Sequence, residues 1–403
     1  MYIKIHRGTR QIGGSIIEVG TENTKIILDC GTNLPAHDGT PIGDNIEIEG
    51  LTRGANIYSG VFISHYHGDH CGMLKRINKD IPIYTSAETK SVLTVISDFI
   101  KAPPPRIDNV LESGKPVVVG DIEILPLPVT HSAYGALMFL ISADCKRVLY
   151  TGDFQSVGIE DDSEVGHIDM LLCEGTNISG KDGITEDDVR ERATQAMRRN
   201  ERPVFALSSA VNINRIKSIA QACAESGRTL AVDPFQDAIL NELGVAAPRS
   251  ALGFVWHSVS EEKSPRAHKH LHENMYRRRR RYFSVEKIAR KEKLTFMVRQ
   301  KMGDFIENLN NYMPLSDATF IYSIWHGYKA HPDIQKLLNI CAEKGIKIVD
   351  IHASGHVYKE DLQQTISRLR PAALVPIHTE APEAFSEFHN NVIIPEDGEI
   401  ITV

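Results

Sequence analysis

A chain of 403 residues is longer than one hydrophobic core keeps growing, so two domains are expected, and a 42% hydrophobic share is ample for two cores. No stretch approaches the ~20 apolar residues of a membrane span, and the amino-terminal MYIKIHRGTR lacks the apolar core and cleavage site of a signal peptide, so a soluble, cytoplasmic protein with no membrane partner is expected. The formal charge of −7 gives no reason to expect a polyanion, and six cysteines without a CxxC pair argue against a disulfide framework or a cysteine zinc knot.

In chain order, residues 1 to about 175 read as short Val/Ile/Leu-rich runs bounded by Gly, Asp, Asn or Pro, which predicts a sheet-rich half. The run KIILD stops at Asp29, and VFIS ends in His65, Tyr66, His67, Gly68, Asp69 and His70. Further on, EILPLPVT stops at His131 and RVLYTG at Asp153. From Thr185 the texture changes. Thr185 and Asp188 form a capping box ahead of DVRERATQAMRR, then PVFALS reads as a strand and NRIKSIAQACAES as a helix. This region is alternating α/β. Between Lys263 and Lys301 lie 14 basic and 3 acidic residues, including the run Arg277 to Arg281. The chain closes with GIKIVDIHAS, DLQQTISRLR, AALVPI ending at His378, and EIITV, read as short strands around one helix.

Three imidazoles and a carboxylate within six residues are a dense set of first-row metal ligands, and a tight turn after a strand can point alternate side chains at two neighbouring ions. A lone His or Asp after a strand is ordinarily a turn former or a satisfied polar group. Five ligand-type strand ends in one chain outweigh that reading.

The pattern HYHGDH, with Asp29 upstream and His131, Asp153 and His378 downstream, resembles the five-motif signature of metallo-β-lactamase-fold hydrolases. That resemblance implies two zinc ions, with manganese as the alternative. One would be held by His65, His67 and His131, the other by Asp69, His70 and His378, with Asp153 bridging. Asp29 would stand behind the ligands and orient them. Some 225 residues separate Asp153 from His378, more than a connection inside one domain needs. The segments LLCEGTN, FALSSAVNINRIKSIAQACAESGR, YSIWHGY, HASGHVYKEDL and PIHTE resemble the β-CASP nucleases, which include ribonuclease J and the endonuclease subunit of the cleavage and polyadenylation factor. On that comparison Glu174, His356 and His378 fall on motifs A, B and C.

The resemblance implies an α/β protein: a metallo-β-lactamase αββα sandwich from residues 1–180 and 346–403, with a β-CASP α/β domain, 181–345, inserted. The implied activity is a metal-dependent ribonuclease, endo or 5′-exo, in which two zinc ions activate hydroxide for attack on a phosphodiester. A histidine at motif C is associated with RNA-cleaving members, so single-stranded RNA is the expected partner. Asp69, Glu174 and His356 are the expected catalytic residues. His356 would supply the proton for the leaving oxygen, with Glu174 orienting it. Ser354, Gly355 and His356 precede a predicted helix and suit a substrate phosphate. Arg277, Arg278, Arg279, Arg280 and Arg281, flanked by aromatic residues, could track a nucleic-acid backbone, although charge runs are ordinarily solvated faces.

Two departures bear on mode and assembly. With the sequence ending at Val403, directly after the predicted metal domain, the C-terminal oligomerising domain of ribonuclease J is not expected, and Thr379 stands where those enzymes usually have Gly. A homodimer is left open. A DNA nuclease of the same family, a thioester or lactone hydrolase of the same fold, and a non-catalytic nucleic-acid-binding subunit are the competing readings. The double crossing of the chain between domains leads to the expectation that substrate enters by their separation.

Overall fold

The computed structural model describes all residues except 37, 159–164, 181–182, 246–247, 249, 257–264 and 277–278. Strand Tyr2–Arg7 alternates, with Ile3 and Ile5 buried between partly exposed neighbours. It belongs to a seven-stranded sheet in the order Ile400–Thr402, Tyr2–Arg7, Ile16–Gly20, Lys25–Leu28, Gly60–Phe62, Ile83–Ser86 and Asn109–Leu111. Pairing is antiparallel among the first four strands and parallel from Lys25–Leu28 onward.

A second seven-stranded sheet runs Ser156–Val157, Ile122–Thr130, Leu137–Ala143, Lys146–Tyr150, Met170–Glu174 and Ala373–Ile377, with Val117–Val119 paired to Ile122–Thr130. Its inner face meets the first sheet: Ile5, Val19 and Phe62 share one buried cluster with Phe139, Tyr150 and Val375. Helix Lys359–Leu369 covers the outer face, where Leu362 and Ile366 pack with Leu171 and Leu374. On the far side Met73 and Leu74 pack on Ile27, Val61 and Ile83. This is the layered sandwich expected from the sequence.

The third sheet is wholly parallel, in the order Tyr282–Ser284, Leu252–Val255, Thr229–Val232, Leu294–Val298, Val204–Leu207, Thr319–Tyr322 and Lys347–Asp350. Strands VFAL and LTFMV are buried along their whole length, because helices cover both faces. Helices Glu186–Arg198 and Ile213–Glu225 lie on one face and Gly303–Asn310 and Pro332–Glu343 on the other. Thr185 and Asp188 make the reciprocal capping box read from the sequence.

The sandwich and the third sheet are not separated by water. Tyr66, Val92, Val95 and Ala133 of the sandwich side share one buried cluster with Val189, Ile213 and Ile239. Phe99 meets Phe235 edge to face at 5.0 Å between ring centroids. Separation along this face would return that apolar surface to water, which counts against entry by opening. Among the described residues no helix is long and apolar enough to cross a membrane.

Candidate metal centre

The strand ends singled out in the sequence converge at one edge of the sandwich. Strand Lys25–Leu28 ends at Asp29, whose φ of 56° lies in the left-handed region and turns the chain sharply. Strand Gly60–Phe62 leads through Ile63 and Ser64 to His65, and a single helical turn, Gly68–Cys71, brings Asp69 and His70 back beside it. This turn packs closely on the Asp29 loop. A Cβ on Gly31 would stand 1.7 Å from the Asp69 carbonyl oxygen, so only glycine fits there. His131 and His378 follow directly on strands Ile122–Thr130 and Ala373–Ile377, and His378 again has positive φ, 50°.

The imidazole nitrogens face one another. His65 Nε2 and His131 Nε2 stand 3.1 and 3.2 Å from His67 Nδ1, and His70 Nε2 is 3.4 Å from His378 Nε2. Asp153 sits between the two sets. Its Oδ2 is 3.1 Å from His70, 3.8 Å from His65 and 3.9 Å from His131, and its Oδ1 is 3.6 Å from His378. Ligand atoms of His65, His67 and His131 form one compact group within 4.8 Å, and those of Asp69, His70, Asp153 and His378 a second.

The site fits a metal by its chemistry. Burial, and then the neighbouring imidazoles, hold His65 and His131 well below the ordinary histidine value, and burial pushes His67 down to about 4. Neutral rings present lone pairs, which is what a metal ligand needs. Burial would likewise lower His70, but the Asp153, Asp69 and Asp29 carboxylates outweigh it and raise the ring well above the ordinary value. Burial opposes charge on Asp153 too, yet His378, His70 and His356 hold it well below the usual carboxylate range. Asp153 Oδ1 is buried without a hydrogen-bond partner among the described atoms. An orphaned carboxylate oxygen facing imidazole nitrogens is accounted for by a bound cation.

Behind the ligands, Asp29 is fully buried and takes four bonds: Ser64 N–H to Oδ1 at 2.7 Å, and Ser64 Oγ, His70 Nδ1 and Tyr150 OH to Oδ2 at 2.7, 2.7 and 2.5 Å. With His70 Nδ1 occupied, its Nε2 is directed into the cluster. His131 is fixed likewise, Nδ1 donating to the Gly355 carbonyl at 2.7 Å, and His378 Nδ1 meets Thr176 Oγ1 at 2.9 Å.

Beside this cluster His356 Nδ1 lies 3.0 Å from both oxygens of Glu174, which is fully buried and also accepts from the amides of Phe154 and Thr176. Burial alone would lower His356, but the Glu174 and Asp153 carboxylates outweigh it and raise the ring to about 9. Ser354, Gly355 and His356 precede helix Lys359–Leu369 in a segment held from outside: Gln155 donates to the Ser354 carbonyl, Asn177 to Ser354 Oγ and the His356 carbonyl.

The arginine run divides. Arg277 and Arg278 lie outside the described residues. Arg279 and Arg281 are exposed, whereas Arg280 turns inward to Asp237, at 3.2 and 3.3 Å, and to the Ala251 carbonyl at 2.6 Å. The Arg280 guanidinium is thus engaged within the protein and does not offer itself to a nucleic-acid backbone. Sequence reasoning missed Tyr150, Thr176, Gln155 and Asn177. Thr176 and Asn177 stand in LLCEGTN beside Glu174, and that proximity was the signal available.

Comparison with known proteins gives two family matches, a beta-lactamase superfamily domain over residues 24–208 and a Zn-dependent metallo-hydrolase RNA specificity domain over residues 342–395. Ribonuclease J of Sinorhizobium meliloti is 26% identical over 397 residues, covering 88% of this chain and 64% of that protein. Ribonuclease J of Corynebacterium glutamicum is 23% identical over 401 residues, covering 93% and 52%. The chain thus spans between half and two thirds of these relatives' length. A solved structure described as a protein of unknown function from Enterococcus faecalis V583 superposes with a TM-score of 0.77 at 23% identity, covering 100% of this chain and 99% of that one, which shows the shared fold.

Proposed function

We propose, because the chain belongs to the ribonuclease J-like β-CASP family of metallo-β-lactamase-fold proteins, that it is a metal-dependent ribonuclease acting on single-stranded RNA. Residues 1–180 and 346–403 are the metal-binding domain in this reading, and 181–345 the inserted β-CASP domain. The observation that carries it is the juxtaposition of the Asp153-centred ligand cluster with the His356–Glu174 pair.

In this reading His65, His67 and His131 would hold one zinc ion and Asp69, His70 and His378 a second, with Asp153 available to both, and manganese as the alternative. When bound, the pair supplies Lewis acidity at the phosphoryl oxygens and a water molecule with its pKa lowered from ~15.7 towards ~7. The remaining requirements fall to the chain. Bonding of His356 Nδ1 to Glu174 leaves Nε2–H as the proton for the departing oxygen. The carboxylate of Glu174 keeps that imidazole charged and fixes its plane. Asp69 is held ionised against burial by His70 and His378, so it stays a ligand and does not compete for the proton. Ser354 Oγ already accepts from Asn177 and from the His356 amide, so its own hydroxyl proton can be turned to a phosphate oxygen. His378 at the third β-CASP motif favours RNA over DNA.

The test is cleavage of end-labelled single-stranded RNA and DNA, with 5′-phosphate and 5′-hydroxyl ends, by the wild type and by an Asp69→Ala, His70→Ala double variant. RNA cleavage lost in the variant supports the reading, and the label pattern separates endo from exo action. No cleavage by the metal-loaded wild type would overturn it.

A further inference from the structure

Helix Ile213–Glu225 packs on the third sheet, yet residues at its start touch three loops of the metal centre. The Val211 carbonyl accepts from the hydroxyl of Tyr66, which stands between His65 and His67, at 2.7 Å. Asn214 Nδ2 reaches the His131 carbonyl at 3.4 Å. Arg215, one position on, is fully buried.

Its guanidinium is used on every side. Nε and Nη2 bond Glu186 at 3.1 and 2.9 Å, and Nη1 donates to the Ser323 carbonyl and Oγ at 2.7 and 2.6 Å. Nη1 also lies 3.3 Å from His352 Nδ1, and Nη2 donates to the Ala353 carbonyl at 2.8 Å. Ser323 Oγ passes the connection on to the Ile351 carbonyl at 2.5 Å. A buried guanidinium is costly to desolvate unless its donors are all taken and its charge is paired, and here Glu186 supplies the charge.

What the guanidinium grips is the segment that carries the site. Residues 351–357 contain no helix or strand; backbone bonds tie Ile351 to Tyr322 and Val357 to Phe154, and between these ends side-chain bonds set the path. Within three residues of Ala353 come Gly355, whose carbonyl fixes the His131 ring, and His356 on Glu174. A Cβ on Gly355 would stand 2.5 Å from Ser132 Oγ, so this segment lies hard against the His131 loop.

We propose that Arg215 is a positioning residue of the metal centre. Through Ala353 and Ser323 it places the Gly355 carbonyl that aims His131 Nε2 at the metal, and it places the His356 imidazole beside the leaving group. The second of these effects rests on the ribonuclease reading, the first only on the metal-ligand geometry. A lysine cannot replace it, because one ammonium cannot bond Glu186, Ser323 and Ala353 in a single plane.

The experiment uses the full chain with Arg215→Met and Arg215→Lys, each alone and combined with His356→Ala. Zinc affinity by chelator competition is expected to fall about tenfold or more in both single variants. The kcat for RNA is expected to fall about tenfold to a hundredfold with KM little changed, as a small misplacement of a reacting group does. At saturating zinc, where the effect on metal affinity is masked, the Arg215 change should have little further effect on kcat in the His356→Ala background. Additive losses there, or zinc affinity equal to wild type, would overturn the proposal. Near-UV circular dichroism checks the fold. Should the Arg215 variants not fold, Ser323→Ala removes one link of the chain and is expected to show the same non-additive pattern at smaller amplitude, with additivity again overturning it. If the wild type cleaves no RNA, the ribonuclease reading fails by itself. Zinc affinity and the His131 ring resonances in the metal-free protein then still decide whether Arg215 acts on the site.

Discussion

Tyr150 and Asp29 come from different sheets of the sandwich, and the Tyr150 hydroxyl donates to Asp29 Oδ2 at 2.5 Å, on the same oxygen that accepts from His70 Nδ1 at 2.7 Å. The contact carries the packing of one sheet on the other through to His70, one of the proposed metal ligands. Asp29→Asn would put an amide where Ser64, His70 and Tyr150 all point donors. We expect zinc affinity to drop about 10- to 100-fold in that variant, as supporting residues of metal sites typically do. Tyr150→Phe removes one donor from a buried carboxylate and should cost about 1–3 kcal/mol of stability. Chelator competition and denaturant melts measure the two, and wild-type affinity in Asp29→Asn would remove Asp29 from its supporting role.

The His356–Glu174 pair makes a prediction in pH. Burial lowers the imidazole, but Glu174 and Asp153 outweigh it, so the folded-state value is raised to about 9 from an ordinary 6.5. The sign follows: the charged ring stabilises the fold fully below 6.5, and that contribution disappears as pH rises through about 9. With His356 as the proposed proton donor for the leaving oxygen, the RNA cleavage rate should decline above pH 9 or so. In Glu174→Gln the largest raising influence is gone, so the alkaline limb should move to lower pH. A limb that stays in place in that variant would show that another group controls it.

The described part of the arginine run separates by what each side chain touches. Arg280 is paired with Asp237, both nearly buried, with side-chain exposures of 9% and 1%. Arg280→Ala leaves that carboxylate unpaired and should destabilise the protein by about 3–5 kcal/mol. Arg279 and Arg281 are exposed, so their replacement by glutamine should leave stability within about 0.5 kcal/mol. If either binds the RNA backbone, the slope of log K against log salt becomes shallower by about 0.7 for each phosphate no longer neutralised. An unchanged slope in the double variant takes both out of the footprint.

The same residues show which parts of the molecule can be read in its sequence. Asp29, His131, Asp153 and His378 were legible because ligand-type residues recur at the ends of apolar strands, a recurrence that outweighs the turn-former reading each has alone. The capping box at Thr185 was legible because it is local, spanning four residues. Tyr150 was not, since a tyrosine ending an apolar strand reads as core, and its partner stands 121 residues away. Gln155 and Asn177 hold the Ser354 segment across 199 and 177 residues, separations that carry no periodic signal. The arginine run was misread at Arg280 for a related reason. Adjacent identical residues look like one patch, but with Arg279 in the left-handed region at φ 55° the chain turns, and Arg280 faces Asp237.

Substrate entry turns on the contact between the two units. A chain that crosses twice between two units suggests that they open, but Val92 and Val95 of helix Ala87–Phe99 are buried in the same cluster as Val189, Ile213 and Ile239. At the same face Asp98 bonds Arg266 at 3.2 Å and His270 at 3.0 Å. Opening would expose the apolar cluster and break both pairs, which entry without separation of the two units would not. A variant with Asp98→Cys and Arg266→Cys, joined by a short cleavable cross-linker, should therefore cleave RNA at a rate within about twofold of the same variant left unjoined. Loss of activity on joining, restored on cleaving the linker, would reinstate opening as part of the catalytic cycle and would mean that the shared core is broken in every turnover.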